Sequence, residues 1–96
     1  MTTTTGRRLP VPASNDVNDV IGQLEPGDYC GPISGYSGDK PAVFFRLPDG
    51  SGIRHVVSPP HVFTEQPDGS LQIRESILAE NGWHGYLDAG HIWRQL

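Results

Sequence analysis

The chain has 96 residues, with one cysteine, twelve glycines and nine prolines. That density of breakers excludes a coiled coil, a helical bundle or any long helix. Seven basic residues against eleven acidic ones give a net charge of −4, which argues against a general nucleic-acid binder, because phosphate contacts carry that affinity.

Other bulk features narrow the class. A hydrophobic share of 35 % supports one small core and one domain. The single Cys30 forms no internal disulfide, so the fold is not a disulfide scaffold. No stretch approaches the ~18 apolar residues of a membrane span. Residues 1–8 hold no apolar run of the signal-peptide kind. The expectation is a soluble protein of a reducing compartment.

Residues 1–14 read as an arm. They hold a threonine run, Gly6, Arg7, Arg8, Pro10 and Pro12, with Leu9 and Val11 as the large apolar groups. Such a segment buries too little to offset its ordering entropy, so it is expected to be flexible or ordered by a partner. Residues 15–96 then form a single small β-rich domain. Ser14, Asn15 and Asp16 offer N-cap side chains. Val17, Val20, Ile21 and Leu24 follow on one helical face, which predicts a short helix over 16–24. Glu25-Pro26-Gly27-Asp28 stops it.

The rest reads as short strands between turns. A brief strand covers 28–30, and the Gly, Ser and Pro content of 31–41 predicts a loop. Strands follow at 42–47, 53–57, 61–66 and 70–77, separated by turns at 48–52, 59–60 and 67–69. A last hairpin joins 83–88 to 91–95 around Ala89-Gly90. Short connections favour consecutive antiparallel pairing. The predicted fold is therefore α+β and mainly β: one short N-terminal helix and an antiparallel meander of about five to seven short strands.

Alternation assigns faces to these strands. With a five-residue turn, Val43, Phe45, Leu47, Ile53, His55 and Val57 share one face of the first hairpin, and Arg46 lies beside Arg54 opposite. With a two-residue turn, Leu87 pairs with Ile92 and Tyr86 with Trp93. Trp83, Leu87, Ile92 and Leu96 then form a core face. The other face carries His84, Tyr86, His91 and Trp93, an aromatic set suited to partner binding, since Tyr and Trp bury large area and keep a polar handle.

No catalytic constellation stands out. Cys30, His55, His61, His84 and His91 are possible metal ligands, but their spacings are wide and no CxxC, HxxxH or HExxH pair occurs. Gly31, Gly35 and Gly38 do not form a phosphate loop, and no carboxylate pair is set up as acid and base. Cys30 before Gly31-Pro32 reads as a small buried apolar residue rather than a nucleophile. The expectation is no metal, no cofactor and no enzymatic activity.

Several short motifs occur together over 44–94. They are Ile53-Arg54-His55-Val56-Val57, Asp68-Gly69, Leu71-Gln72-Ile73, Ser76-Ile77, His84-Gly85-Tyr86-Leu87, Gly90 and Ile92-Trp93. The pattern resembles a family of small uncharacterised β-rich proteins of phages and bacteria, some mislabelled as ammonia monooxygenase. The resemblance implies a phage or mobile-element origin and brings no established reaction. Family members often carry a cysteine beside the histidine of the last hairpin; Trp83 stands there in this chain, which puts a metal role in doubt.

The expected function is thus a non-enzymatic, phage-encoded protein acting by protein contact with a host factor in the host cytoplasm. Two alternatives are a virion structural component, as a capsid decoration or minor structural protein, and a small metal-binding module using His55, His61, His84 and Cys30. Expected partners are proteins, including a second copy of the chain, and neither nucleic acid nor membrane.

Overall fold

The computed structural model describes residues 2–14 and 16–96. Met1 and the expected capping residue Asn15 lie outside the described residues. Nine strands and one helix occur among the described residues, in the order β1 (Thr2–Thr5), β2 (Arg7–Leu9), α1 (Val17–Gly22), β3 (Asp28–Ser37), β4 (Lys40–Arg46), β5 (Ile53–Val57), β6 (Val62–Glu65), β7 (Leu71–Leu78), β8 (His84–Asp88) and β9 (Ile92–Gln95). The mainly β class stands, with more strands than the expected five to seven.

Two of the extra strands are the arm. β1 pairs antiparallel with β9, and β2 pairs parallel with β3. The expected flexible or partner-ordered arm is therefore an integral part of the domain. Both segments take up sheet edges, where backbone hydrogen bonds stabilise a chain that has little apolar area to bury. Arg7 adds a two-pronged bond to the buried Asp28, at 3.1 and 2.9 Å. Of the expected loop 31–41, Gly38-Asp39 forms a turn and Lys40 opens β4, while residues 31–37 are the long irregular part of β3, whose pairing with β4 shifts register between Cys30 and Ile33 and again before Ser37. Its glycines and proline mark bulges rather than an absence of strand.

The strands form two sheets, β1-β9-β8-β7-β6 and β2-β3-β4-β5. Their facing sides enclose the main core of Tyr29, Val43, Phe45, Leu47, Leu71, Ile73, Ile77, Ala79, Trp83, Leu87 and Trp93. The outer side of the four-stranded sheet is partly covered by α1. There Val20 and Leu24 pack with Cys30, Ile33, Ala42 and Phe44. Asp16 caps α1 by accepting from the Asn18 N–H at 2.8 Å, and the helix is one turn shorter than its apolar spacing predicts.

Both hairpins are registered one residue away from the expected pairing. Leu47 donates to the Gly52 carbonyl at 3.0 Å, so the first turn has four residues and Phe45 faces Arg54. The face of β5 flips: Val56 joins the inter-sheet core, while Ile53 and Val57 pack towards α1. Arg46 and Arg54 lie on opposite faces, and Arg46 Nε donates to the Leu24 carbonyl at 2.9 Å. The last turn gains His91, which takes φ 63 beside Gly90 at φ 81, and Asp88 faces Ile92.

The two sheets meet where β1 crosses into β2 at Gly6. A Cβ there would lie inside the contact shell of the Gly27 carbonyl oxygen and 2.8 Å from Trp93 Nε1. Trp93 Nε1 donates to that same carbonyl at 2.7 Å. The expected outcome for Gly6→Ala is a loss of about 1–3 kcal/mol from overpacking, read as a lower urea midpoint. An unchanged midpoint would show that the crossing has room for a methyl group.

Three exposed carboxylates are held below their usual range. Ser51 bonding lowers Asp49, the Arg8 guanidinium lowers Glu65, and Ser70 bonding lowers Asp68. A carboxylate depressed in the folded state stabilises the fold above its unfolded pKa, and that contribution is lost as pH falls through the folded value. The urea midpoint should therefore hold from pH 7 to about 5 and fall below about 4. A flat midpoint down to pH 3 would contradict this.

Candidate functional site

The expected partner-binding set of His84, Tyr86, His91 and Trp93 does not share a face. Trp93 sits opposite Leu87, not Tyr86, and is 1 % exposed. It packs against Tyr29, Phe45 and Trp83 at ring centroid distances of 6.3, 5.2 and 5.9 Å. The one-residue lengthening of the turn moved it from the outer face to the core. His91 lies in that turn, with Nδ1 2.6 Å from Tyr29 Oη. Tyr86 and His84 are half-buried on β8. The Arg94 guanidinium lies 4.4 Å from the Tyr86 ring centroid and donates to Asp88 at 2.8 Å. This outer face is a self-satisfied polar surface.

Ser70, His91 and Asp68 come close together, although nothing in their spacing along the chain links them. Ser70 is fully buried; its Oγ donates to Asp68 Oδ1 at 2.6 Å and accepts from the Gly90 N–H at 2.8 Å. Tyr29 Oη accepts from the Leu71 N–H at 3.2 Å. The hydroxyl proton thus goes to a carboxylate, and the histidine goes to a tyrosine. These bonds tie two turns to β3.

The other candidate ligands are dispersed. Cys30 is buried beneath α1, where Gln23 Nε2 donates to its sulfur at 3.7 Å, and burial pushes its thiol pKa up. His55 stacks on Phe44 at 5.4 Å and meets Tyr36 edge-on at 5.2 Å. No group of three or more His, Cys, Asp or Glu converges on a metal position among the described residues. Among them, too, no helix is long and apolar enough to cross a membrane.

A groove of about 560 Å³ opens between β5 and the end of β7. β5 supplies Ile53–Val57, the following bend supplies Pro60 and His61, the far wall is Ile77 to Glu80, and Phe45 also lines it. Its walls are strand edges. Leu47 bonds to Gly52 and Ser58 N–H donates to Pro41 at 3.0 Å. By the two-residue alternation of an antiparallel ladder, Arg54 and Val56 bond β4, whereas the backbone groups of Ile53, His55 and Val57 point away from it. β5 ends its sheet. The Ile53 and Val57 carbonyls accept from Arg54 Nη1 and from the His61 N–H. The His55 N–H and carbonyl face the open side.

The opposite wall is also an edge. β6 pairs with β7 only over residues 71–74. Glu75 then takes φ 67, and the β7–β8 register shifts between Ile73 and Ile77. Beyond this bulge β7 keeps β8 on one side and no strand on the other among the described residues. Ala79 N–H donates to Trp83 at 2.8 Å, so the backbone groups of Leu78 point away from β8. The Leu78 side chain is 71 % exposed.

Groups inside the groove are left without partners. Both ring nitrogens of His61 and the Nε of Arg54 are buried and accept or donate no hydrogen bond. Sequence reasoning missed this site because the walls are backbone edges and because the register slip hid which face Arg54 takes.

The two aromatic positions separate cleanly in a stability measurement. Trp93→Ala should cost about 3–5 kcal/mol and unfold much of the population at ordinary temperature. Tyr86→Ala should stay within about 1 kcal/mol of the parent, as expected of a surface ring. Equal losses for both would place Tyr86 in the core as well. No family model, curated protein or solved structure matches this chain.

Proposed function

We propose that the chain is a non-enzymatic binding module that takes an extended segment of a partner protein into the groove between β5 and the end of β7. The observation that carries this reading is the pair of open strand edges facing one apolar-floored groove. An unpaired edge is a template for strand addition: main-chain bonds supply affinity and alternate side chains supply specificity. The buried Phe45, Ile77 and Ala79 provide apolar contact inside, and the exposed Tyr36 and His55 flank the outer side of β5. The resemblance of residues 44–94 to phage and bacterial proteins supports a phage or mobile-element origin, and the partner in this reading is a host protein met in the host cytoplasm.

His55→Pro tests the mode of docking. The His55 N–H points to the open edge, so proline removes an outward donor without breaking the β4 ladder. Peptides selected from a random library on the full chain should lose at least about tenfold in affinity on this variant. Amide shifts in the labelled parent should concentrate at 53–57 and 75–80. Peptides that bind His55→Pro as well as the parent, or shifts confined to the Tyr86 face, would overturn the reading.

A further inference from the structure

Resting on the groove reading, the polar groups inside the groove state what the docked segment carries. Arg54 shares a face with Val56, which packs in the inter-sheet core, so its side chain starts out inward. One of its guanidinium nitrogens donates to its own strand, to the Ile53 carbonyl at 3.0 Å. Its Nε is buried without a partner. Arg54 makes no ion pair among the described residues. Asp49 lies close enough to feel its charge, but the Asp49 carboxylate is engaged by the Ser51 N–H at 2.8 Å. Glu80, on the far wall, is exposed.

His61 lies beyond the other end of β5 and lines the same groove. Its backbone N–H is used by Val57, while both ring nitrogens are buried and unbonded. Buried polar groups are nearly always paired, and leaving one unpaired costs about 1–3 kcal/mol. Arg54 is the one Lys or Arg among the residues lining the groove. A charge-assisted bond to a carboxylate is roughly twice as strong as a neutral one.

We infer that the docked segment is an extended peptide bearing an aspartate or glutamate directed into the groove, read by the Arg54 guanidinium. The chain's net charge of −4 opposes long-range attraction of an acidic partner. Recognition is therefore local and made at contact, and it selects among segments rather than steering them.

The test uses the peptides selected from a random library on the full chain, with affinities measured by fluorescence. Asp or Glu should be enriched at one register of the selected set. Replacing that residue by Asn or Gln should weaken binding to the parent about tenfold or more. On Arg54→Met the same replacement should matter less than about twofold. If that variant fails to fold, the acid-to-amide comparison on the parent still decides. Selected peptides with no acidic position that nonetheless lose binding on His55→Pro would overturn this inference and leave the groove reading intact. Binding indifferent to His55→Pro would overturn both. A capped single aspartate that binds as tightly as the peptides would overturn the assignment to an extended segment.

Discussion

The structure depends on how Trp93 is held between the sheets. Its ring meets Tyr29, Phe45 and Trp83, which come from three other strands or their margins, and its Nε1–H reaches the Gly27 carbonyl. A buried indole needs such a partner. The carbonyl is available because Gly27 sits at the turn into β3 with φ +88, and the chain crosses it at the one place where a residue without a Cβ allows close approach. This single contact sets the spacing of β9 and β3. It also fixes where β1 leaves one sheet so that β2 can join the other.

The other end of the sandwich is less constrained. At the Trp93 end, β1 and β2 cover the edges of both sheets. Near β5 no strand does so among the described residues, because Pro59 and Pro60 turn the backbone through a bend before β6 begins, and β6 reaches only to the β7 bulge. At the Glu75 bulge the pairing with β6 ends, while the pairing with β8 resumes in a shifted register. The groove follows from these two interruptions. It lies at the margin of a core that is otherwise closed, so a docked segment can contribute to the fold's own hydrogen-bond pattern without disturbing the central aromatic cluster.

Much of the local structure was legible in the residues. The helix start at Asp16, the strand cores at 42–46, 53–57, 71–77 and 84–88 and the turns at 48–52 and 67–69 follow from periodicity and turn chemistry, which act over a few residues. Strands β1 and β2 were not legible. Thr2–Thr5 and Arg7–Leu9 bury little, and they are strands because distant edges accept their backbone groups. The same holds for the irregular half of β3, where bulges imitate the composition of a loop.

The candidate site shows the limit most sharply. Which residues alternate is a property of each strand, and the sequence determined it: His55 opposes Arg54 and Val56 in face, and Tyr86 opposes Leu87. Which of the two faces is inside depends on turn length, and a difference of one residue in each hairpin exchanged them. Trp93 thereby went to the core and Arg54 turned towards the groove. The strand class, the small core and the turn positions were thus fixed by local chemistry. The register, the edges left open and the groove between them were decided by tertiary pairing, because a backbone edge has no side-chain signature and a hairpin's hand is set by how its turn closes.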